Sequence, residues 1–531
     1  MSGGSSKDKL PGVPIYRSNP GLLPINSRSL GKFVIDFYQD LGFRNIYFAI
    51  NAEDFDFAVG EFGNYKEFLR IIPIEDSKNV TDTLEKAMVE VNSEEVIVNL
   101  VTTIPKELLK ETNTYCVDIE EKIVENWSAV NLSGAGSRFI SKFDQGSQSG
   151  HAFSGVFRLS SKSLKALLPA IEGKDRSDLL SVIVKVSQTT DMKPVQLEWY
   201  DCGHIQNYYS TRRKIFGSRF FNSISLDENR GILSKRSTQK DKLKREINYQ
   251  RLLPDNLKIY FPRVLTESET PKEYRVDMEF YGYPALAEIL LYWDLSPSLW
   301  KTVFDRLGQV LNNFYQEKQA VESAAWRSIY VDKVTDRVTE FKTQIDSELA
   351  KLFFSEKLLL NDDPLMSWSE IEPQLQVWLS KIKNHSDEVV VHGDFCLNNI
   401  LCDPFAGIVK LIDPRGSFGT DRESIAGDRK YDWAKLGHSF VGKYDYIVND
   451  LFELDQIGNS FYLKTFDRPW QKYVETLFVE NSKKFGIDNK VLSFIIGTLF
   501  VSMTPLHSNS LRRQKAFYLT GLKFFTTAMK E

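Results

Sequence analysis

The sequence predicts an α/β domain with a mainly parallel sheet, followed by an α+β domain of two lobes. The chain has 531 residues, about three times the usual size of one compact domain. Residues 32–198 alternate apolar, β-rich runs with helical patterns, as parallel strands with crossover helices do. Beyond residue 284 the patterns are mostly helical, apart from a strand pair near residue 390. We expect a first domain over 1–215, a small lobe over 216–283 and a helical large lobe over 284–531.

Composition places the chain among globular proteins of nearly balanced charge. Hydrophobic residues make up 42% and charged residues 26% of it, which excludes global disorder. A net charge of -4 leaves no overall field for nucleic acid or a membrane, so we expect neither partner. Four scattered cysteines exclude a disulfide framework and fit a reducing, cytoplasmic compartment. The polar start MSGGSSKDKL predicts no signal or anchor.

Three features of the apolar patterning support these expectations. The runs IYFAI and VIVNL, residues 46–50 and 96–100, lack polar alternation, as strands covered on both faces do. Helical patterns such as DTLEKAMVEV lie between the strand runs. Residues 491–506 form the longest apolar stretch, but polar residues interrupt it, which predicts a buried helix rather than a membrane span.

Residues 211–251 are strongly basic. They contain twelve basic and four acidic residues, a local net charge of +8. On charge alone, either a solvated surface or an anion-binding module is compatible with this segment. Two short strands, 220–226 and 231–234, are expected around a turn, and a helix over 241–253. The segment lacks interleaved aromatic residues for base stacking, so we do not expect it to bind nucleic acid.

The segment that carries chemistry is EVVVHGDFCLNNILCDPFAGIVKLIDPRG, residues 388–416. It predicts a strand, a His-Gly-Asp turn, and two short strands joined at residues 403–404. In such a hairpin, oxygen ligands from Asp394, Asn399 and Asp413 can converge, and convergent hard oxygens suit Mg²⁺. In phosphoryl transfer, one carboxylate accepts the proton of the attacking hydroxyl, while an Asn and an Asp hold the metal that bridges the phosphates.

This segment resembles the catalytic loop of the aminoglycoside phosphotransferase and choline kinase branch of the protein-kinase-like fold. That loop reads His-Gly-Asp, four residues, Asn, and later an apolar-apolar-Asp. The resemblance implies that Asp394 is the catalytic base and that Asn399 and Asp413 hold the metal, with ATP and Mg²⁺ as cofactors. The resemblance also implies that His392 belongs to the catalytic loop, where it braces the loop and does not react. The downstream GDRKYDWAKL resembles the family's acidic stretch, so Asp432 is expected to brace the same loop. The alternative is an ordinary hairpin turn, where Asp and Asn are common.

The sequence ahead of the hairpin resembles the ATP-binding lobe of that fold. Lys235 in ILSKRS and Glu246 in the next helix resemble the paired strand lysine and helix glutamate, which implies that Lys235 holds nucleotide phosphates. VDMEFYGYPALAEIL resembles the last small-lobe strand, a hinge with Glu279 and Gly282, and the first large-lobe helix. The two short strands carry no glycine-rich loop between them, and Lys235 and Glu246 are also compatible with surface ion pairs.

Arg415 lies just beyond the expected metal ligand, in IDPRG. Its guanidinium is suited to a phosphate or an acidic substrate, and an ion pair within the loop is the equal alternative. Tyr431, Trp433 and His438 follow on a predicted helix, where such residues are more often core than pocket.

Four segments of the first domain resemble, in order, the sugar-phosphate nucleotidyltransferases of glycosyltransferase-A-like fold. They are LPINSRSLGKFVIDFYQDLGFRNIYFAIN, EEVIVNLVTTIP, ISKFDQGSQSGHAFSGVFRLS and LEWYDCGHIQNYYSTRRKI. That family's glycine-rich triphosphate loop has no match before Leu23. Thr102 and Thr103 stand where its first metal aspartate is expected, whereas Asp201 matches the second. Lys142 matches a basic residue near the sugar phosphate, with a surface lysine as the alternative. Binding without nucleotidyl transfer is therefore expected, because that reaction normally needs two metal carboxylates.

Together these patterns predict an enzyme that phosphorylates a hydroxyl group of a small molecule, such as a sugar, polyol or amino-alcohol. The neighbouring nucleotidyltransferase-like domain points, by association only, to capsule or lipopolysaccharide precursor synthesis. Three alternatives stay open: a bifunctional kinase and nucleotidyltransferase, an antibiotic phosphotransferase, and a catalytically silent nucleotide-binding scaffold. The acceptor, the nucleotide preference and homo-oligomerisation also stay open, because specificity depends on the shape of a pocket.

Overall fold

The computed structural model describes residues 14–124, 127–132, 138–142, 148–215, 222–420 and 422–530. The chain divides into two compact units, Met1–Ile215 and Phe216–Glu531.

The first unit combines short helices with one larger sheet. Its helices are α1 (Leu30–Asp40), α2 (Phe55–Phe62), α3 (Val80–Glu90), α4 (Ser161–Leu167), α5 (Leu180–Ser187) and α6 (Ile205–Lys214). Its strands are β1 (Pro24–Ile25), β2 (Arg28–Ser29), β3 (Ile46–Asn51), β4 (Leu69–Ile74), β5 (Glu95–Asn99), β6 (Thr103–Pro105), β7 (Thr114–Val124), β8 (Ala129–Asn131), β9 (Arg138–Ile140), β10 (Gln148–Ser160), β11 (Lys193–Gln196) and β12 (Trp199–Asp201).

The long strands β7 and β10 form the centre of a six-stranded sheet, of order β11-β7-β10-β8-β9, with β5 also paired to β10. Helices α3 and α5 pack apolar residues such as Leu84, Val182 and Ile183 against Tyr115 and Phe157 of these strands. Burial of this apolar surface is the main force that holds the layers together. The α/β class is confirmed.

The sequence predicts a mainly parallel sheet, but most strand pairs of this sheet are antiparallel. Parallel pairs join β3 to β4 and β11 to β7, but β10 runs antiparallel to β5, β7 and β8. The reason is the connection. In the described residues between β7 and β10 the chain passes through short strands and no crossover helix, and such connections favour antiparallel neighbours.

The second unit begins with a small lobe made of one antiparallel sheet and a helix. Its strands are β13 (Asn222–Asp227), β14 (Ile232–Ser237), β15 (Val264–Glu269) and β16 (Tyr274–Glu279), and its helices are α7 (Lys240–Leu252) and α8 (Asp255–Lys258). The strand order is β13-β14-β16-β15. Leu243 and Ile247, one turn apart on α7, pack against Val276 and Met278 of β16, which fixes the helix on the sheet.

The rest of the unit is a mostly helical large lobe. Its helices are α9 (Leu286–Tyr292), α10 (Pro297–Gln316), α11 (Ser323–Arg327), α12 (Lys333–Gln344), α13 (Ser347–Ser355), α14 (Trp368–Ile371), α15 (Leu375–Ile382), α16 (Arg429–Phe440), α17 (Tyr444–Val448), α18 (Gln471–Lys484), α19 (Asn489–Met503) and α20 (Leu511–Met529). Its strands are β17 (Leu359–Leu360), β18 (Asp363–Pro364), β19 (Glu388–Val390), β20 (Ile400–Asp403), β21 (Ile408–Leu411), β22 (Ala426–Asp428), β23 (Phe452–Ile457) and β24 (Ser460–Thr465). One turn of π-helix, Ser328–Asp332, joins α11 to α12.

Helices α19 and α20 lie in the core of the large lobe. A Cβ atom built at Gly521 would lie 2.6 Å from Val501 Cγ1, so the missing side chain permits this close approach. Within the described residues, Asn489–His507 is the one segment long and apolar enough to cross a membrane, and 67% of its apolar window is buried inside the protein. The predicted buried helix at residues 491–506 is present.

Two strand pairs position the central turn of the large lobe. β19 pairs with β22, and β20 pairs with β21, both antiparallel. The turn between β19 and β20 holds Gly393, whose φ of 76° lies in the left-handed region that favours glycine. The two short strands expected on either side of residues 403–404 are therefore present, as β20 and β21, and the His-Gly-Asp turn precedes them.

We predict that Gly416→Ala destabilises the second unit more than Gly407→Ala does. Both glycines have positive φ, 68° and 64°, so either alanine should cost about 1–2 kcal/mol. At Gly416 the new Cβ would also lie 2.6 Å from the main-chain oxygen of Arg245 in α7, whereas open space surrounds Gly407. Overpacking should add roughly 1–3 kcal/mol at Gly416. Urea denaturation followed by tryptophan fluorescence measures both, and equal losses would contradict this close approach.

Candidate functional site

The His-Gly-Asp turn is held by one buried carboxylate. Asp432 of α16 accepts hydrogen bonds from the main-chain nitrogens of His392 and Gly393, both at 2.9 Å. Asp428 begins the helix, because its side chain accepts from Lys430 N at 3.0 Å as an N-cap. Burial raises the pKa of Asp432 to about 7, against the lowering effect of the two N–H donors. The helix that follows the hairpin thus determines the shape of the turn.

The imidazole of His392 lies inside the loop and is only 1% exposed. Its Nδ1 accepts from the main-chain nitrogen of Asp394 at 3.3 Å, and its Nε2 lies 3.1 Å from the carbonyl oxygen of Ile412. The ring stacks on Phe261. Burial lowers the pKa of His392 to about 4, so the ring is neutral at pH 7 and donates from Nε2. Both ring nitrogens are occupied by main-chain partners, which suits a brace for the loop.

The carboxylate of Asp394 emerges from this turn with two side-chain partners. Lys435 Nζ lies 2.8 Å from Asp394 Oδ1, and Asn399 Nδ2 donates to Oδ2 at 3.1 Å. Burial raises and the Lys435 ammonium lowers the pKa of Asp394, and the net effect holds it well below its usual range. The side chain of Asp394 is 38% exposed, so an ionised carboxylate is available to a ligand.

Asp413 lies beside the catalytic loop. Ile412 N donates to Asn399 O at 3.0 Å, so the residue after it comes next to the asparagine. Asp413 has a φ of 54°, and its carboxylate accepts from Lys235 Nζ at 2.8 Å. Lys235 also pairs with Glu246, at 2.7 and 2.9 Å. Burial lowers the pKa of Lys235, but the two carboxylates raise it further, so the ammonium stays charged.

The structure thus brings together the five residues that the sequence analysis placed in the catalytic and phosphate-binding site. The hairpin supplies three of them, β14 supplies the lysine, and α7 supplies the glutamate: Asp394, Asn399, Asp413, Lys235 and Glu246.

The expected hinge residues lie at the end of β16. Glu279 points towards the small lobe, because its carboxylate accepts from Arg263 N at 3.2 Å and Tyr281 OH at 3.0 Å. Gly282 follows three residues later, and the next segment is bonded to the hairpin of β20 and β21, since Cys402 N donates to Pro284 O at 2.9 Å. These contacts place the main chain around Glu279, rather than its side chain, at the junction of the two lobes.

The donor set fits one Mg²⁺ ion held mainly by a bound nucleotide. Asn399 uses its amide nitrogen to donate to the main-chain oxygen and to Oδ2 of Asp394, which leaves its amide oxygen as the ligand atom. Asp413 offers a carboxylate that is 45% exposed. In the described part of the chain, no group of three or more His, Cys, Asp or Glu residues is placed to hold a metal ion. Mg²⁺ commonly uses one or two protein oxygens together with substrate phosphates.

Arg415 and three other residues complete the surroundings of Asp394. Arg415 N donates to His392 O at 3.0 Å, and its Nη1 donates to Tyr431 OH at 2.9 Å. The Tyr431 hydroxyl also interacts with Lys333 at the start of α12. Arg415 therefore contacts a tyrosine, and within residues 222–420 and 422–530 it forms no salt bridge with a carboxylate.

Sequence reasoning missed Lys435 and Lys333. Lys435 had a usable signal, because it lies three residues after Asp432 and so on the same face of a helix that reaches the loop. Lys333 had none, because it lies 61 residues before Asp394 in a segment with no motif. Tyr431 was interpreted as a core residue. It is 1% exposed, but its hydroxyl faces the cations of the site.

The first unit has its own cavity, of about 920 Å³. Thr102, Thr103 and Asp201 meet there, since β6 pairs with β12 and places Asp201 opposite Thr103. The carboxylate of Asp201 is occupied by its own turn and helix. It accepts from Gly203 N at 2.9 Å and Asn207 Nδ2 at 2.8 Å, and it lies 2.9 Å from His204 Nδ1. Asp201 therefore shapes this wall of the cavity through local hydrogen bonds.

Lys142 lies on the same cavity, where its ammonium donates to Ser177 O at 2.6 Å. Trp127 also lines the cavity and stacks on His204 with 4.5 Å between ring centroids. The sequence before Leu23, which has no match for a glycine-rich loop, includes residues 1–13, and these lie outside the described residues.

Comparisons with known proteins give two groups of similar structures. No protein-family model and no curated protein matches the chain. A thermostable mutant of aminoglycoside phosphotransferase APH(4)-Ia is 13% identical, with a TM-score of 0.38, over 61% of this chain and 99% of its own. A Bacillus anthracis protein assigned as a glucose-1-phosphate thymidylyltransferase is 16% identical, with a TM-score of 0.34, over 41% of this chain and 95% of its own. HddC from Yersinia pseudotuberculosis is 13% identical, with a TM-score of 0.31, over 37% and 90%. Both resemblances drawn from the sequence recur among these structures.

We predict that removing the Asp432 carboxylate unfolds the catalytic loop. Asp432→Ala leaves two buried N–H groups without an acceptor, at about 1–3 kcal/mol each, whereas Asp432→Asn keeps one acceptor oxygen. The free energy of unfolding should therefore fall by roughly 2–5 kcal/mol in the alanine variant and by about half of that in the asparagine variant.

Asp336→Asn, an exposed position on α12, is the control and should change stability by less than about 0.5 kcal/mol. Urea denaturation measures all three variants. An alanine variant as stable as the control would show that the two hydrogen bonds do not hold the turn.

Proposed function

We propose that the second unit transfers the γ-phosphoryl group of ATP to a hydroxyl group of a small molecule. The observation that carries this proposal is the convergence of Asp394, Asn399 and Asp413 on one hairpin, with Lys235 joined to Asp413 at 2.8 Å. A purely structural hairpin does not require these side chains to meet. Phosphoryl transfer does, because catalysis there consists mainly of positioning and of neutralising charge.

Each group has a defined part in the proposed reaction. Lys235, kept in place by Glu246, binds the nucleotide phosphates. Asn399 and Asp413 are the protein ligands for Mg²⁺, which neutralises charge on those phosphates when it is bound. Asp394 orients the acceptor hydroxyl and takes its proton as the new O–P bond forms and the bond from the γ-phosphorus to ADP breaks.

Lys435 suits Asp394 to this part. The ammonium offsets the negative charge of the carboxylate at 2.8 Å, which reduces its repulsion from an incoming γ-phosphate. It also keeps the carboxylate ionised, and therefore able to accept a proton, over the whole neutral range. A loose transition state needs only a weak base, so the low pKa of Asp394 is compatible with this reaction.

The test is phosphorus NMR of the full chain with Mg²⁺, ATP and pools of sugars, polyols and amino-alcohols. We expect a new phosphomonoester signal that requires an acceptor and disappears when EDTA removes the metal. Asp394→Asn should lower the rate about 10²- to 10⁴-fold without unfolding the protein. Asp455→Asn, an exposed aspartate on β23, is the matched control and should keep full activity. Product formation that survives Asp394→Asn would overturn the assignment of the base.

For the first unit we propose binding of a small polar molecule without nucleotidyl transfer. The cavity of about 920 Å³ offers Lys142 and the ring of Trp127 as binding groups. Two threonines stand where a metal carboxylate would be needed, and Asp201 is bonded within its own turn. By association only, a ligand related to the product of the second unit would be consistent with a cytoplasmic pathway that makes activated sugars or alcohols.

This proposal predicts stabilisation by a ligand without turnover. Sugar 1-phosphates should raise the melting temperature of the full chain, and Lys142→Met should reduce this effect, because the ammonium would contact the phosphate. Lys162→Met, an exposed lysine on α4, is the control. With each nucleoside triphosphate and the same sugar phosphates, pyrophosphate release should stay at background. A product with a diphosphate linkage would instead establish the bifunctional alternative.

A further inference from the structure

Three basic side chains surround one phenol oxygen beside the catalytic carboxylate. Arg415 Nη1 donates to Tyr431 OH at 2.9 Å. The charges of Lys333 and Lys435 also act on the same hydroxyl. Lys435 in turn pairs with Asp394 at 2.8 Å. We call Lys333, Arg415, Tyr431 and Lys435 the cation cluster.

The cation cluster holds more positive than negative charge. Asp394 pairs with Lys435, but among the described residues no carboxylate is in salt-bridge contact with Lys333 or Arg415. Burial lowers the pKa of Lys333 to about 8. Burial raises the pKa of Tyr431, but the three cations lower it more strongly, to about 8. Both pKa shifts indicate a site with too little negative charge, because a cation that is removed from water without a counter-ion is destabilised.

The cluster belongs entirely to the large lobe. Its members come from α12, from the loop after Asp413 and from α16, all in the large lobe. Arg415 is fixed against the catalytic turn, since a Cβ at Gly393 would lie 2.9 Å from Arg415 Cβ. The nucleotide phosphates have their own cation in Lys235, which comes from the small lobe and is paired with two carboxylates.

We propose that the acceptor carries an anionic group, a phosphate or a carboxylate, which Lys333, Arg415 and the Tyr431 hydroxyl bind next to Asp394. This inference rests on the proposed kinase reaction. The bound anion would supply the missing negative charge, and two charged donors with one hydroxyl would fix the acceptor relative to the base. A cationic acceptor, such as an amino-alcohol or an aminoglycoside, would be repelled by the same groups.

A binding experiment tests the site independently of turnover. The full chain is saturated with Mg²⁺ and a non-hydrolysable ATP analogue, which fills the γ-phosphate position, and is then titrated with inorganic phosphate by calorimetry. Lys333→Met should weaken phosphate binding about 10- to 100-fold, as expected for loss of one charge-assisted hydrogen bond. Lys333→Arg should restore most of it.

Lys342→Met is the matched control, an exposed lysine on the same helix, and should bind phosphate as the wild type does. Asp394→Asn should also bind phosphate, because it removes a negative charge from the edge of the site. Equal phosphate affinity in the Lys333→Met and Lys342→Met variants would overturn the proposed anion site.

A turnover experiment compares acceptors that differ only in the acidic group. Glycerol, glycerate and glycerol 3-phosphate form one set, and glucose, glucuronate and glucose 6-phosphate form another. We expect kcat/KM to favour an acidic member, and Lys333→Met to raise KM for that member while KM for ATP is unchanged. The two kinds of acid show whether the site prefers a carboxylate or a phosphate.

The outcomes separate this inference from the proposed function. If phosphate binding follows the charge at position 333 but no acceptor is phosphorylated, the anion site stands and the kinase proposal fails. If uncharged or cationic acceptors are phosphorylated with the same kcat/KM as acidic ones, and Lys333→Met leaves the KM of the acidic acceptors unchanged, the kinase proposal stands and this inference fails. If Lys333→Met raises KM for ATP instead, the cluster binds the nucleotide and the inference also fails.

Discussion

The carboxylate of Asp432 holds the structure around the site together. It binds two consecutive N–H groups, of His392 and Gly393, at 2.9 Å each, and hydrogen bonds of this charged kind are worth about 1.5–3 kcal/mol. Gly393 makes the turn possible, with its φ of 76°, but a flexible glycine alone would not select one conformation. The direction in which Asp394 leaves the turn therefore depends on a residue 38 positions away.

The same helix also determines the charge around Asp394. Asp432 and Lys435 lie on one face of α16, so the helix that orients the Asp394 carboxylate also neutralises it at 2.8 Å. A second ion pair links the lobes, because Lys235 of β14 binds both Glu246 of α7 and Asp413. Movement of β14 relative to the hairpin must change the contact between Lys235 and Asp413. The position of the small lobe and the exposure of the Asp413 carboxylate are consequently coupled.

The sequence predicted those parts of the site that are local in the chain. The hairpin residues from 392 to 413 could be interpreted together because short strands and turns bring near neighbours into contact. The pairing of Lys235 with Glu246 was also accessible, because only eleven residues separate them. The cation cluster was not, because its members come from three separate segments that meet only through the packing of the large lobe. The error over the parallel sheet has the same origin, since strand direction depends on how β7 connects to β10 rather than on either strand's own residues.

The π-helical turn before α12 determines the direction in which the side chains of α12 point. Ser328–Asp332 contains one more residue per turn than an α-helix would, so the side chains after it are rotated by about 100° relative to an uninterrupted helix. Lys333 is the first residue of α12 after this turn. Loss of one residue from this turn would remove that rotation and direct Lys333 away from Tyr431. The gain or loss of a single residue in this turn would therefore change the charge around the Tyr431 hydroxyl, with no substitution in the His-Gly-Asp turn.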